Sequence, residues 1–297
     1  MWRLLAYVLA FVLGSAVADA VLSPLAATLF ATTGARLIVY SWVSLIAAVI
    51  AHVVALRVIE KRSWREVGLG RDALRPRVLA GGATLGALAV GVPAALLLGA
   101  GLLRAEPTAD GSWWAGAASM LALLAPAALF EELLLRGYPF MVLRETGGAT
   151  LALVVTSSVF GVLHLQNPNA TPGSVAIVAL AGVFLGGVLL ATGSLWAAFA
   201  AHLAWNWTLA GLLHAAVSGV PLAAPDYQVV DAGPDWLTGG AWGPEGGAAA
   251  AGGMLLALGF LWRRARRAAS PNDTPNDAPL AAHPANLDAR PDGRGSF

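Results

Sequence analysis

Residues 113–143 read WWAGAASMLALLAPAALFEELLLRGYPFMVL. The run is apolar throughout and longer than the roughly 20 residues a transmembrane helix needs. It nevertheless carries Glu131, Glu132 and Arg136 near its end. A strand of a closed β-barrel would alternate apolar and polar residues, and this run does not, so it reads as a membrane helix. Seven further apolar runs lie on either side, at about 4–30, 37–59, 78–103, 149–166, 173–191, 195–217 and 247–262. Turn chemistry separates them, as in Glu106-Pro107, Gly147-Gly148 and Asn167-Pro168. The expectation is an all-α integral membrane protein, a bundle of about eight transmembrane helices around a buried polar cavity.

Composition agrees. Of the 297 residues, 58% are hydrophobic and 12% charged, against about 25% charged in a soluble domain. The net charge of +1 supplies no basic surplus for nucleic acid. The absence of cysteine excludes disulfides, thiolate metal sites and a cysteine nucleophile.

The basic residues orient the bundle. With the N-terminus inside, the loop 57–77 is cytoplasmic and holds Arg57, Lys61, Arg62, Arg65, Arg71, Arg75 and Arg77; the end of the last span, Arg263, Arg264, Arg266 and Arg267, is on the same side. The last outer loop carries Asp226, Asp231, Asp235 and Glu245 without Lys or Arg. The protein is thus expected in the cell membrane as a multi-pass protein with both termini in the cytoplasm. Residues 1–20 also read as a signal peptide, with small residues at Ala16-Val17-Ala18, but the apolar run resumes after Ser23-Pro24 and favours a retained span. The chain divides into residues 1–112, three helices and the basic loop; 113–217, the core with the polar cluster; 218–268, an acidic outer loop and the last helix; and 269–297, a Pro-, Asn- and Asp-rich tail expected to be disordered.

A charge at the centre of a membrane helix costs about 2.5–3.5 kcal/mol on insertion scales, so Glu131, Glu132 and Arg136 require an explanation. Glu132 and Arg136 are spaced i, i+4 and can pair on one helix face. Glu131, about 100° further round, points elsewhere. Two more polar pairs follow at the same spacing, Phe160 with His164 and His202 with Asn206. Counted from the apex at Gly147-Gly148, Glu131 and His164 both lie about 24 Å along their helices. His202, about 13 Å past Gly193, meets them if that hairpin projects roughly 10 Å further on the cytoplasmic side. A lone His52 or His214 in such a setting reads more simply as a satisfied core residue, and Gly182-x-x-x-Gly186 as a close helix contact.

A carboxylate and two histidines around a water support hydrolysis in two ways. Glu131, His164 and His202 could hold Zn²⁺, which acidifies its bound water. Without a metal, Glu131 and His164 would activate the water, and His202 and Asn206 would stabilise the oxyanion. The spacing leaves both open; no G-x-S-x-G nucleophile elbow is present.

The motifs E-E-x-x-x-R (Glu131, Glu132, Arg136), F-x-x-x-H (Phe160, His164) and H-x-x-x-N (His202, Asn206) occur in this order on successive helices. In this they resemble the CPBP intramembrane proteases, the CAAX-processing and bacteriocin-processing, or Abi, proteins. The resemblance covers residues 113–215. It implies an eight-helix endopeptidase in which Glu131 activates water with His164 as its partner, His202 and Asn206 form the oxyanion side, and Glu132 and Arg136 support the site. It further implies a membrane-associated protein or peptide substrate, prenylated in eukaryotic members and often bacteriocin-like in bacterial ones. The family is usually labelled metalloprotease, and a metal-free glutamate mechanism is argued for it too. Two other readings compete: a non-catalytic immunity or scaffold protein of the same fold, and a transporter with proton-relay carboxylates, for which no symmetry between halves is evident.

Overall fold

The computed structural model describes residues 2–29, 33–222 and 225–268; the tail 269–297 lies outside them. The chain is built from long helices: α1 (Trp2–Leu29), α2 (Thr33–His52), α3 (Pro76–Gly99), α4 (Trp113–Arg136), α5 (Tyr138–Leu163), α6 (Pro172–Thr192), α7 (Leu195–Trp207) and, after the short α8 (Asp235–Thr238), α9 (Ala248–Ala268). Among the described residues five stretches are long and apolar enough to cross a membrane: Trp2–Leu22, Arg36–Ile59, Pro76–Gly99, Trp113–Gln166 and Pro172–Thr192. The fourth is 54 residues long and contains two of the expected spans. The expected spans at 195–217 and 247–262 are helical as well, but α7 is only 13 residues long before a π-helical continuation, and α9 ends on four arginines.

Two features depart from the sequence expectation. Leu103–Pro107 (β1) and Tyr227–Asp231 (β2) pair antiparallel, with Leu103 opposite Asp231 and Pro107 opposite Tyr227. Neither segment alternates strongly enough to announce itself, and they lie more than a hundred residues apart, so their pairing is a product of the bundle that brings them together. The second is in the run up to the apex at Gly147-Gly148, which counting at helical rise treats as unbroken. The backbone leaves the helix at Gly137, with φ −79° and ψ −126°, and again at Gly148, with φ +83° and ψ +175°. A Cβ on Gly137 would stand 2.2 Å from Nε2 of His52, and that same nitrogen accepts a hydrogen bond from the Tyr138 N–H at 3.0 Å. His52 therefore receives the first free donor of α5, a group that helix geometry leaves without a partner.

Small residues set how closely the helices approach. A Cβ on Gly86 of α3 would come within 2.0 Å of the Ala201 carbonyl oxygen on α7, so the backbone carrying His202 is packed directly against α3. Gly182 of α6 lies against Ser157 of α5, where a Cβ would meet its Cα at 2.8 Å. The small-residue pattern at Gly182 is thus a contact within the chain.

Candidate active site

The two adjacent glutamates of α4 have different surroundings. The Glu132 side chain is fully buried and the Glu131 side chain is 30% exposed. Arg136 Nη1 donates to Glu132 Oε1 at 3.2 Å, and its Nη2 donates to the Gly182 carbonyl at 3.2 Å. Its guanidinium lies 4.5 Å from the centre of the Phe160 ring. Phe160 thereby acquires a reason for its place four residues before His164: its ring covers the buried cation and also meets His164 edge-on at 4.7 Å and His202 at 6.0 Å between centroids. A cation over an aromatic face is stabilised most where water is excluded.

His202, buried on α7, lies between the two carboxylates. Its Nδ1 is 2.9 Å from Glu132 Oε1. Because a carboxylate accepts, this nitrogen carries the proton. Nε2 is turned toward Glu131 Oε2 at 3.6 Å. The Nδ1 of His164 is 2.7 Å from the Phe160 carbonyl oxygen, which likewise fixes the proton on Nδ1 and leaves Nε2 as an acceptor.

Glu131, His164, His202 and Asn206 line one cavity of about 230 Å³ whose walls are mainly apolar. Glu132 and Arg136 stand behind that wall. The structure therefore brings all six sequence-derived residues into one region, with His202 nearer to Glu131 than spacing suggested. Sequence reasoning missed Glu245, which it read only as one acid of an outer loop. Glu245 lines the same cavity. The available signal was a single charge in the Gly- and Ala-rich stretch Gly239–Gly253.

Glu131, His164 and His202 were also the candidate zinc ligands. Among the described residues no group of three His, Asp or Glu side chains is gathered closely enough to mark a metal site; Nδ1 of both histidines is engaged, which leaves Nε2 of each as the nitrogen free to act.

Residues 112–208 match the family model described as Rce1-like, Type II CAAX prenyl endopeptidase Rce1-like. Over this core the chain is similar to the CAAX protease family. The match spans α4 to α7, the helices that carry Glu131, His164, His202 and Asn206. No curated protein and no solved structure matches the chain.

Proposed function

We propose that the chain is an intramembrane endopeptidase of the CAAX type that hydrolyses a peptide bond in a membrane-associated protein or peptide, with Glu131 as the base. The observation that carries this reading is the division of labour between neighbouring carboxylates. Glu132 is engaged by Arg136 and His202, whereas Glu131 opens into an apolar cavity facing Nε2 of His202.

In the mechanism this supports, Glu131 takes a proton from a water whose oxygen attacks the peptide carbonyl carbon. His164 offers the lone pair of Nε2 and orients that water. As the carbonyl π electrons move onto oxygen, His202 donates from Nε2 in its doubly protonated form, and the Asn206 amide donates beside it. Glu132 holds His202 by Nδ1, as the orienting carboxylate of a histidine does in other hydrolases. Collapse of the tetrahedral intermediate breaks the C–N bond, and Glu131 returns its proton to the leaving amine.

The matched family is described as acting on prenylated C-a-a-X proteins, and this makes a lipidated C-terminal peptide the first substrate to try. The arginine-rich loop 57–77 and the arginines that end α9 favour a cytoplasmic location for both termini. A terminus-resolved proteomic comparison of cells expressing wild type and Glu131→Gln at equal membrane levels tests the whole reading. New peptide ends specific to the wild type support it. Matching profiles across growth conditions would leave an immunity or scaffold role in its place.

A further inference from the structure

Part of the cavity wall is formed by connections between helices, and one buried carboxylate ties them together. Ser218 follows α7 and adopts a left-handed backbone with φ +49°, a conformation that costs a non-glycine residue free energy and persists only where its surroundings enforce it. The enforcement is visible. The Ser218 N–H and hydroxyl donate to Glu245 Oε1 at 2.5 and 2.9 Å, and its carbonyl accepts from Asn167 Nδ2 at 2.9 Å. The other oxygen of Glu245, Oε2, accepts the indole N–H of Trp205 at 2.6 Å. Trp205 lies on α7 between His202 and Asn206. Trp205, Ser218, Asn167 and Glu245 all face the cavity that holds Glu131.

We propose that Glu245 is a positioning residue of the endopeptidase site: by joining strained Ser218 to Trp205 it closes the cavity and fixes the turn of α7 that presents His202 and Asn206. The proposal rests on the endopeptidase reading. Three donors converge on Glu245, so it serves purely as an acceptor. Glutamine offers one acceptor oxygen and an NH₂ group, which would turn a donor toward either the indole N–H or the two donors of Ser218, an arrangement that leaves buried polar groups unpaired. Removing the indole donor removes that conflict.

The test is a double-mutant cycle on the full chain in detergent, read by kcat and KM on a cleaved peptide and by thiol labelling. The protein has no cysteine, so a Val220→Cys reporter on the cavity wall is unique. Glu245→Gln should lower kcat about tenfold or more in the otherwise wild-type protein and have little further effect in Trp205→Phe, a coupling in the range known for contacting residues. The Val220→Cys thiol should react faster with maleimide in Glu245→Gln, and the acceleration should largely vanish when Trp205→Phe is added. Equal kcat in wild type and Glu245→Gln, or losses that simply add across the cycle, would overturn the proposal. A change in labelling without a change in kcat would do so too, because the tie would then be structural alone. If Glu245→Gln does not accumulate, Trp205→Phe decides: a several-fold fall in kcat with unaltered unfolding temperature supports the tie, and an unchanged kcat overturns it. Should the wild type cleave nothing that Glu131→Gln spares, the endopeptidase reading itself fails, while the labelling arm still reports whether Glu245 holds the wall.

Discussion

His202 donates its Nδ1 proton to Glu132 at 2.9 Å, and this one bond turns Nε2 toward Glu131. A histidine on α7 is thereby aimed by one glutamate of α4 at the other. The buried side of the site, Glu132 with Arg136, and the open side, Glu131, are linked through a single imidazole.

Glu131→Gln should abolish peptide cleavage, by about 10³-fold or more given what general bases and their positioned water contribute, while the protein remains folded in the membrane. Glu132→Gln should retain a measurable fraction of activity, because Gln can still accept from His202. Rates of both variants on one cleaved peptide, at matched membrane levels, separate the two roles. Equal losses would contradict the division between them.

Arg136→Met removes the partner of a fully buried carboxylate and should destabilise the protein by about 3–5 kcal/mol, the range for breaking a buried pair. The double variant Glu132→Gln/Arg136→Met, which leaves no buried charge at this position, should be markedly more stable than Arg136→Met alone. Thermal unfolding in detergent measures both. A double variant no better than the single would show that the pair is not what holds Arg136.

Gly86→Val should force α3 away from α7, because a Cβ there meets the Ala201 carbonyl at 2.0 Å. Overpacking of this kind costs about 1–3 kcal/mol. Since Ala201 precedes His202, kcat should fall even in protein that stays folded. A Gly86→Val enzyme with wild-type kcat would show that this contact does not position His202.

Chelation bears on the metal question. If Glu131 and His164 activate the water unaided, peptide cleavage should survive exhaustive treatment with a zinc chelator. Loss of activity that added Zn²⁺ restores would establish a metal centre and overturn the mechanism built on Glu131 alone.

Glu60, just past the end of the second span, accepts both Arg3 Nε and Nη2, at 2.6 and 2.7 Å, together with the Tyr138 hydroxyl. Burial pushes its carboxyl up, and Arg3, Tyr138 and Arg62 outweigh that effect, so it titrates below its ordinary 4.5. A carboxyl depressed by folding contributes stability that is present above its unfolded value and lost as the pH falls through the folded one. Unfolding temperature should therefore drop on acidification below about pH 4.5, and the drop should be smaller in Glu60→Gln. Identical acid profiles would remove Glu60 from the account.

The sequence by itself determined the helices and the faces of the core. A bilayer demands long apolar helices because no water satisfies the backbone there, so composition and run length sufficed for α1 to α6. Helical period alone separated Glu131 from Glu132 and paired Glu132 with Arg136, since both depend only on spacing along one element. Tertiary structure decided what depends on distance between elements. It bent the chain at Gly137 against His52, put His202 rather than His164 beside Glu131, paired β1 with β2, and carried Glu245 from a distant loop to Trp205. Spacing fixes the direction in which a side chain leaves its own helix; which group it meets depends on how closely the neighbouring helices pack, and here that is set by residues such as Gly86 and Gly182 that belong to other helices.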